Sequence, residues 1–126
     1  MTAAPRPREL PNVDLDAVAA GIRSRIETWT RAGLDVSALT WRDARASWPQ
    51  PLPTERAEVI EPESVGVIVR ATDGRSVELV LWRGGWTDGF VHTTAGSVPL
   101  MADVTDFTDV ASCLRMVDES IELLTG

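Results

Sequence analysis

The chain has 126 residues, 19 of them acidic and 12 basic, for a net charge of −7. This acidic balance excludes a general nucleic-acid binder, because neutralising phosphate groups requires a basic surface. The single cysteine excludes an intramolecular disulfide and a cysteine-rich zinc site. No apolar run approaches the ~20 residues that span a bilayer. We therefore expect a single cytoplasmic domain that binds neither nucleic acid nor membrane.

The net charge is confined to the second half of the chain. Residues 1–60 contain eight Arg and eight acidic residues, so their net charge is zero. Residues 61–126 contain four Arg and eleven acidic residues, so they carry the whole charge of −7. Charge asymmetry of this kind indicates something about binding partners rather than about the fold.

The N-terminal part predicts a leader followed by a helix. Residues 1–11 contain three prolines and no apolar segment of a secretory signal, so we expect a disordered leader before a single domain at 12–126. From residue 13 to residue 32 the apolar residues recur at steps of three and four, which predicts an amphipathic helix. Asn12 or Asp14 is suited to begin this helix, and Gly33 to end it.

Two interpretations of residues 34–48 remain open. The spacing of Trp41, Ala44 and Trp48 fits a short helix, whereas the alternation of Trp41, Asp43 and Arg45 fits an edge strand. Prolines at 49, 51 and 53 then disfavour helix, because proline lacks the backbone N–H and restricts the residue before it. Residues 48–54 are therefore predicted to form an extended, proline-rich linker.

The middle of the chain predicts two β-hairpins. Residues 65–71 and 76–82 are rich in β-branched residues, and Asp73-Gly74 between them predicts a two-residue type I′ turn. That turn would pair Arg70 with Val77 and Val65 with Trp82. Both faces of this hairpin are mostly apolar, so we expect it at the centre of a sheet, with its second face at least partly covered.

A second hairpin is predicted after a turn at residues 83–85. Its strands are residues 89–94 and 97–101, turning at Ala95-Gly96, and Pro99 makes the latter an edge strand. The C-terminal segment then predicts a helix capped by Thr105 or Asp106, with an apolar stripe and an acidic outer face. The stripe consists of Phe107, Val110, Leu114, Val117, Ile121 and Leu124. The fold class is α+β: an antiparallel meander sheet of four or five strands, with an N-terminal and a C-terminal helix packed on it.

The chain has few side chains suited to catalysis. His92 is a candidate general base and Cys113 the single thiol, but Cys113 lies beside the apolar stripe and is expected to be a core residue. Asp103, Asp106 and Asp109 recur every three residues, yet acidic residues in a first helical turn are favoured by capping and by the helix dipole. We therefore predict no catalytic residue, no metal site and no cofactor, with a small enzyme using His92 as the third alternative.

Residues 84–89 are glycine-rich and contain Trp86. A phosphate cradle would require a following helix and usually a lysine, and this segment has neither. We interpret it as a loop with Trp86 at its tip. Tryptophan is enriched at binding hot spots, so Trp86 is a candidate anchor, although the sequence leaves its exposure open.

One stretch supports a family resemblance. It comprises the strand at residues 77–82, the Gly-Gly-Trp turn at 84–86 and the helix that starts with Phe107-Thr108-Asp109-Val110-Ala111. This layout resembles small acidic immunity proteins of actinobacterial polymorphic-toxin systems, which are short, α+β and non-catalytic. It also resembles type III secretion chaperone-like proteins of the YbjN kind, which would imply a homodimer that holds a partner polypeptide.

The resemblance implies a non-catalytic immunity protein that neutralises a toxin domain by occluding its active surface. A nuclease toxin presents a basic cleft, and an acidic surface can mimic its ligand and speed association. With Trp86 as the anchor, the candidate electrostatic rim consists of Asp88, Asp103, Asp106, Asp109, Glu119 and Glu122.

Overall fold

The computed structural model describes residues 11–100 and 106–125 and has the α+β architecture that the sequence predicts. The predicted leader at 1–11 therefore lies, apart from Pro11, outside the described residues. The elements in chain order are helix α1 (Leu15–Arg31), strands β1 (Asp35–Val36), β2 (Thr40–Asp43), β3 (Pro62–Arg70), β4 (Ser76–Trp82), β5 (Trp86–Thr93) and β6 (Gly96–Pro99), and helix α2 (Val110–Thr125).

The described strands form one antiparallel sheet of six strands rather than the predicted four or five. Strands β3 to β6 form a meander, and β1 and β2 both pair with the outer edge of β3. The extra strands come from residues 34–48, where the strand interpretation is correct. Trp41 and Asp43 are buried while Arg42 faces outward, which is the alternation of a strand. Residues 48–54 contain neither helix nor strand.

The β3–β4 hairpin is central, but its predicted turn and register are wrong by one residue. Val69 pairs with Val77, because the loop has three residues and Ala71 lies opposite Arg75. Gly74 alone has a positive φ, of +91°, whereas a type I′ turn would require one at Asp73 too. The observed register places the buried pairs Val65–Leu81, Val67–Leu79 and Val69–Val77 on one face.

The second hairpin also differs from the prediction in its limits. The turn at 83–85 is confirmed, but β5 begins at Trp86 directly after it rather than at residue 89. Thr93 pairs with Gly96, so Thr94 and Ala95 form the turn instead of Ala95-Gly96. Strand β6 is exposed along its length and ends the sheet, as expected of the edge strand that contains Pro99.

Both helices pack on the same face of the sheet. Helix α1 contacts β1, β3 and α2, and α2 contacts β4. The core lies between these helices and the inward residues of the strands, and its fully buried side chains include Val18, Ile22, Trp41, Val65, Val69, Val77, Leu79, Leu81, Cys113 and Val117. Neither described helix is both long and apolar enough to cross a membrane.

The helix caps are partly as predicted. Asp14 caps α1 by accepting a 3.1 Å hydrogen bond from the backbone N–H of Ala17. The predicted cap of α2 is wrong: the helix begins at Val110, and the carboxylate of Asp109 accepts a 2.7 Å bond from the Ser112 backbone N–H. The Ser112 hydroxyl accepts in return from the Asp109 N–H, which completes a reciprocal cap.

Candidate functional site

The sheet has one face that neither described helix covers, here called the open face. Its side chains come from the outward positions of the central strands: Ser64, Gly66, Ile68 and Arg70 from β3, Ser76, Glu78, Val80 and Trp82 from β4, and Trp86, Asp88, Phe90 and His92 from β5. Leu52, from the proline-rich segment, lines a cavity over Gly66 and Val80, so this segment covers part of the face.

Four residues form a row directly across the strands at one end of the open face. Arg42, Ser64, Trp82 and Trp86 are successive cross-strand partners on β2, β3, β4 and β5. The Arg42 guanidinium lies 5.4 Å from the Trp82 ring centre and 4.1 Å from the Trp48 ring centre. The Trp82 and Trp86 rings stack, with centres 5.7 Å apart and planes inclined by 13°.

Carboxylates hold this aromatic row in place. Trp82 donates its indole N–H to Oδ2 of Asp88 at 2.9 Å, and Arg42 Nε lies 3.1 Å from Oε2 of Glu63. Oδ1 of Asp88 accepts no side-chain or backbone hydrogen bond from the described residues. The open face therefore combines stacked indoles with a carboxylate oxygen that is not bonded by any described residue.

Trp86 is half exposed and does not sit at a loop tip. It is the first residue of β5, and 38% of its surface remains accessible. Gly84 makes its position possible, because a Cβ at residue 84 would lie 2.1 Å from Cζ3 of the ring. Phe90, two strand positions beyond Asp88, is 39% exposed on the same face. Exposed aromatic side chains in a contiguous set are typical of interaction surfaces.

Two cavities open at this surface. The larger, of about 510 Å³, lies at the β4–β5 turn and is lined by Pro11, Asn12, Glu61, Glu63, Trp82, Arg83, Gly84 and Trp86. Its carboxylates are balanced, since Glu61 lies 3.0 Å from Arg83 and Glu63 pairs with Arg42. The smaller, of about 270 Å³, is mostly apolar and lies over Gly66 and Val80, with Glu78 on its wall.

The Cys113–His92 pair considered for catalysis does not form. His92 lies on the open face, with Nε2 at 3.0 Å from Oε2 of Glu78 and Nδ1 at 2.5 Å from the Ser97 hydroxyl. Cys113 is buried in α2 on the other side of the sheet, and burial raises the pKa of its thiol to about 12. His92 lines neither of the two cavities.

The structure divides the predicted acidic rim among three places. Trp86 and Asp88 are brought together on the open face, whereas Glu119 and Glu122 are exposed on α2, on the opposite side of the sheet. Asp106 and Asp109 lie near the β4–β5 turn, because the Phe107 N–H between them donates to the Gly85 carbonyl at 2.9 Å. Asp103 falls outside the described residues.

Asp109, one residue of this rim, caps helix α2. Its hydrogen bonds from the Ser112 backbone N–H and hydroxyl lower the pKa of its carboxyl group. In residues 11–100 and 106–125, no three His, Cys, Asp or Glu side chains converge as metal ligands would.

Sequence reasoning missed most of the row that adjoins Trp86. No sequence pattern indicated that Arg42 and Ser64 belong to the site, because their proximity to Trp82 depends on the pairing of β2 with β3. No protein-family model, curated protein or solved structure matches this chain significantly.

Proposed function

We propose that this chain is a non-catalytic immunity protein that binds a toxin domain through the open face and occludes the toxin's active surface. The observation that carries the proposal is the stacked pair Trp82–Trp86, half exposed beside Asp88 on a sheet face that neither helix covers. Tryptophan anchors surrounded by polar groups are the usual energetic centres of protein interfaces.

Charge supports a basic partner. The chain carries −7. The open face contributes the carboxylates of Glu78 and Asp88, and its Arg42 is paired with Glu63. Its exposed Arg70 lies opposite Ser76, at the other end of the face from Trp82 and Trp86. A toxin domain with a basic cleft would complement this surface and associate faster for it. Glu119 and Glu122 lie on the opposite side of the sheet, so we place them outside the interface and keep Asp88 as the centre of the electrostatic contact.

The experiment starts from the product of the gene directly upstream, the expected position of a cognate toxin. Co-expression should relieve its toxicity, and the two proteins should co-purify at low salt and less well at high salt. Asp88→Arg should weaken the complex, whereas the double variant Glu119→Arg/Glu122→Arg should not, since its charges lie on α2. Circular dichroism confirms that each variant is folded.

Two results would contradict the proposal. One is a neighbouring toxin that neither binds nor is neutralised. The other is a complex that tolerates Asp88→Arg and Trp86→Ala but is lost on charge reversal of α2, which would place the interface on the helices.

The alternative is a secretion or folding chaperone that acts as a homodimer. Strand β6 favours it, because all four of its residues are exposed at the edge of the sheet, where a second chain can add a strand. Two copies with −7 each repel one another, which favours a different, basic partner. Sedimentation equilibrium decides between them: the immunity proposal predicts a monomer, and a stable dimer disrupted by substitutions in β6 would favour the chaperone.

A further inference from the structure

We infer that Trp86 and Asp88 form a binding site for an arginine side chain of the partner protein. This inference deepens the proposed function by naming the group that the open face recognises. It rests on that proposal only for the identity of the partner, because the site itself is built from residues of this chain.

The chain already contains a guanidinium bound in the same manner. The Arg42 guanidinium lies over both the Trp48 and the Trp82 ring, at 4.1 and 5.4 Å from their centres. Its Nε is 3.1 Å from a carboxylate oxygen of Glu63, an ion pair that lacks hydrogen-bond geometry, since this Nε has no hydrogen-bond partner among the described residues. A cation over an indole face is attracted by the ring quadrupole, and the carboxylate adds a charged contact. The row across the strands thus shows which ligand this combination of groups holds.

Trp86 and Asp88 repeat this combination, and no cation from residues 11–100 or 106–125 pairs with them. Trp86 ends the row on β5, and its ring stacks on Trp82 while 38% of its surface remains open. Asp88 lies two residues further along the same strand face, and its Oδ2 is fixed by the Trp82 indole N–H at 2.9 Å. Among the described residues, no donor bonds Oδ1 and no arginine pairs with this carboxylate, so Oδ1 is the atom that an arginine of the partner would contact.

The surface beside Trp86 has room for an arginine side chain. The cavity of about 510 Å³ borders both Trp82 and Trp86, so an arginine stem can approach the rings from the β4–β5 turn. The carboxylates that line the cavity are paired, Glu61 with Arg83 and Glu63 with Arg42. Asp88 lies outside the cavity lining, beside Trp82, and pairs with no described arginine. Arginine fits better than lysine, because its planar guanidinium stacks on an indole and spreads its donors towards a carboxylate.

The test compares two peptides on the full chain. N-acetylated hexa-arginine and hexa-lysine amides carry the same charge, and titration calorimetry with tryptophan fluorescence measures their binding at low salt. Hexa-arginine should bind about 2- to 5-fold more tightly than hexa-lysine, the factor expected for stacking at an exposed indole. Trp86→Ala should abolish this preference. Asp88→Asn keeps an acceptor for Trp82 but removes the charge, so it should weaken hexa-arginine binding.

Glu119→Gln supplies the matched control, because it removes the same charge from the opposite side of the sheet. Equal affinity for the two peptides, or equal losses from Asp88→Asn and Glu119→Gln, would show attraction to net charge alone and overturn the arginine site. If the peptides bind equally while Asp88→Arg still prevents toxin neutralisation, the arginine site is wrong and the immunity function stands. If the arginine preference holds but the neighbouring toxin is not bound, the site stands and the proposed function is wrong.

Discussion

The carboxylate of Asp43, at the end of β2, accepts a 2.8 Å hydrogen bond from the backbone N–H of Ile60, 17 residues further along the chain. It also accepts from the backbone N–H groups of Arg45 and Glu61, at 2.9 and 3.0 Å. The Gln50 side chain bonds both the N–H and the carbonyl of Asp43. Asp43 therefore organises the segment between β2 and β3: its carboxylate fixes Arg45, Ile60 and Glu61, and its backbone holds Gln50, two residues after Trp48.

Replacing this carboxylate should loosen that whole segment. The N–H bonds from Ile60 and Arg45 lower the pKa of Asp43, so the native state favours the ionised form. Because the folded pKa is depressed, this stabilisation is complete above the unfolded pKa of about 3.9 and is lost as pH falls through the lower folded value. Asp43→Asn should lower Tm at neutral pH by about 5 °C or more. The gap to the wild type should narrow below about pH 4.

Thermal melts between pH 3 and pH 8 measure this gap. Asp35→Asn, which alters an exposed carboxylate of β1, provides the control and should leave Tm nearly unchanged at every pH. A gap between Asp43→Asn and the wild type that stays constant down to pH 3 would contradict the assignment of the stabilisation to the ionised carboxylate.

Gly84 and Gly85 are adjacent but should respond differently to alanine. A Cβ at Gly84 meets only the movable Trp86 ring, so Gly84→Ala should displace that ring and cost about 0.5–1.5 kcal/mol, the worth of an aromatic pair. Gly85 has a φ of +95°, and its Cβ would lie 2.5 Å from the backbone oxygen of Phe107. Gly85→Ala should therefore cost more, because a backbone cannot move aside as a ring can.

Circular dichroism separates the two variants. The exciton signal of the stacked indoles should be lost in Gly84→Ala, and its urea midpoint should fall less than that of Gly85→Ala. Trp82→Phe should abolish the same signal as a reference. A Gly84→Ala variant that keeps the exciton signal would mean that the rings do not stack against this turn in solution.

The β3–β4 turn offers a direct test of its observed geometry. Gly74 has a φ of +91°, which costs a side chain roughly 1–2 kcal/mol, so Gly74→Val should destabilise by about that amount in urea denaturation. Thr72→Val, at an exposed position of the same turn, should be nearly neutral. Equal stability of Gly74→Val and the wild type would refute the left-handed conformation at residue 74.

The periodicity of apolar residues predicted the helices and most of the strands, whereas the register between strands depends on tertiary packing. The apolar steps of α1 and α2 are local, so both helices were predictable. The register between Val69 and Val77 was not, because Asp73-Gly74 suits both a two-residue and a three-residue turn, and the buried face selects the latter.

The candidate site, too, could be predicted from the sequence only where its residues are close together in the chain. Trp86 and Asp88 are near neighbours on one strand, so the sequence predicted both. Glu119 and Glu122 were grouped with them by charge alone, and the two-layer fold separates them. The guanidinium of Arg42 could not be assigned to Trp82, because 39 residues, including the whole of strand β3, separate them in the chain.

Cys113 should be inert in the native state. Burial raises the pKa of its thiol to about 12, so at pH 8 almost none of it is the reactive thiolate. A disulfide reagent should label it only after unfolding in urea, and labelling as fast as that of a free thiol would contradict the buried placement. Cys113→Ala should cost about 1 kcal/mol through the small cavity that it leaves, and partner binding should be unchanged.

Asp106 and Asp109 belong to the same predicted acidic rim, but reversing their charges should have different effects. Asp109 accepts the 2.7 Å bond from the Ser112 N–H that begins α2, so Asp109→Arg removes the cap and should lower Tm by several degrees. Asp106 is exposed and precedes the cap, so Asp106→Arg should leave Tm nearly unchanged.

If Asp106 faces the basic partner, its reversal should slow association at low salt and have little effect at high salt. Stopped-flow association rates and thermal melts of the two variants measure both effects. If Asp109→Arg loses binding in proportion to its loss of folded protein, the effect is one of stability. Slower association by a fully folded Asp106→Arg chain would place Asp106 in the interface. An unchanged association rate would show that Asp106 lies outside the interface.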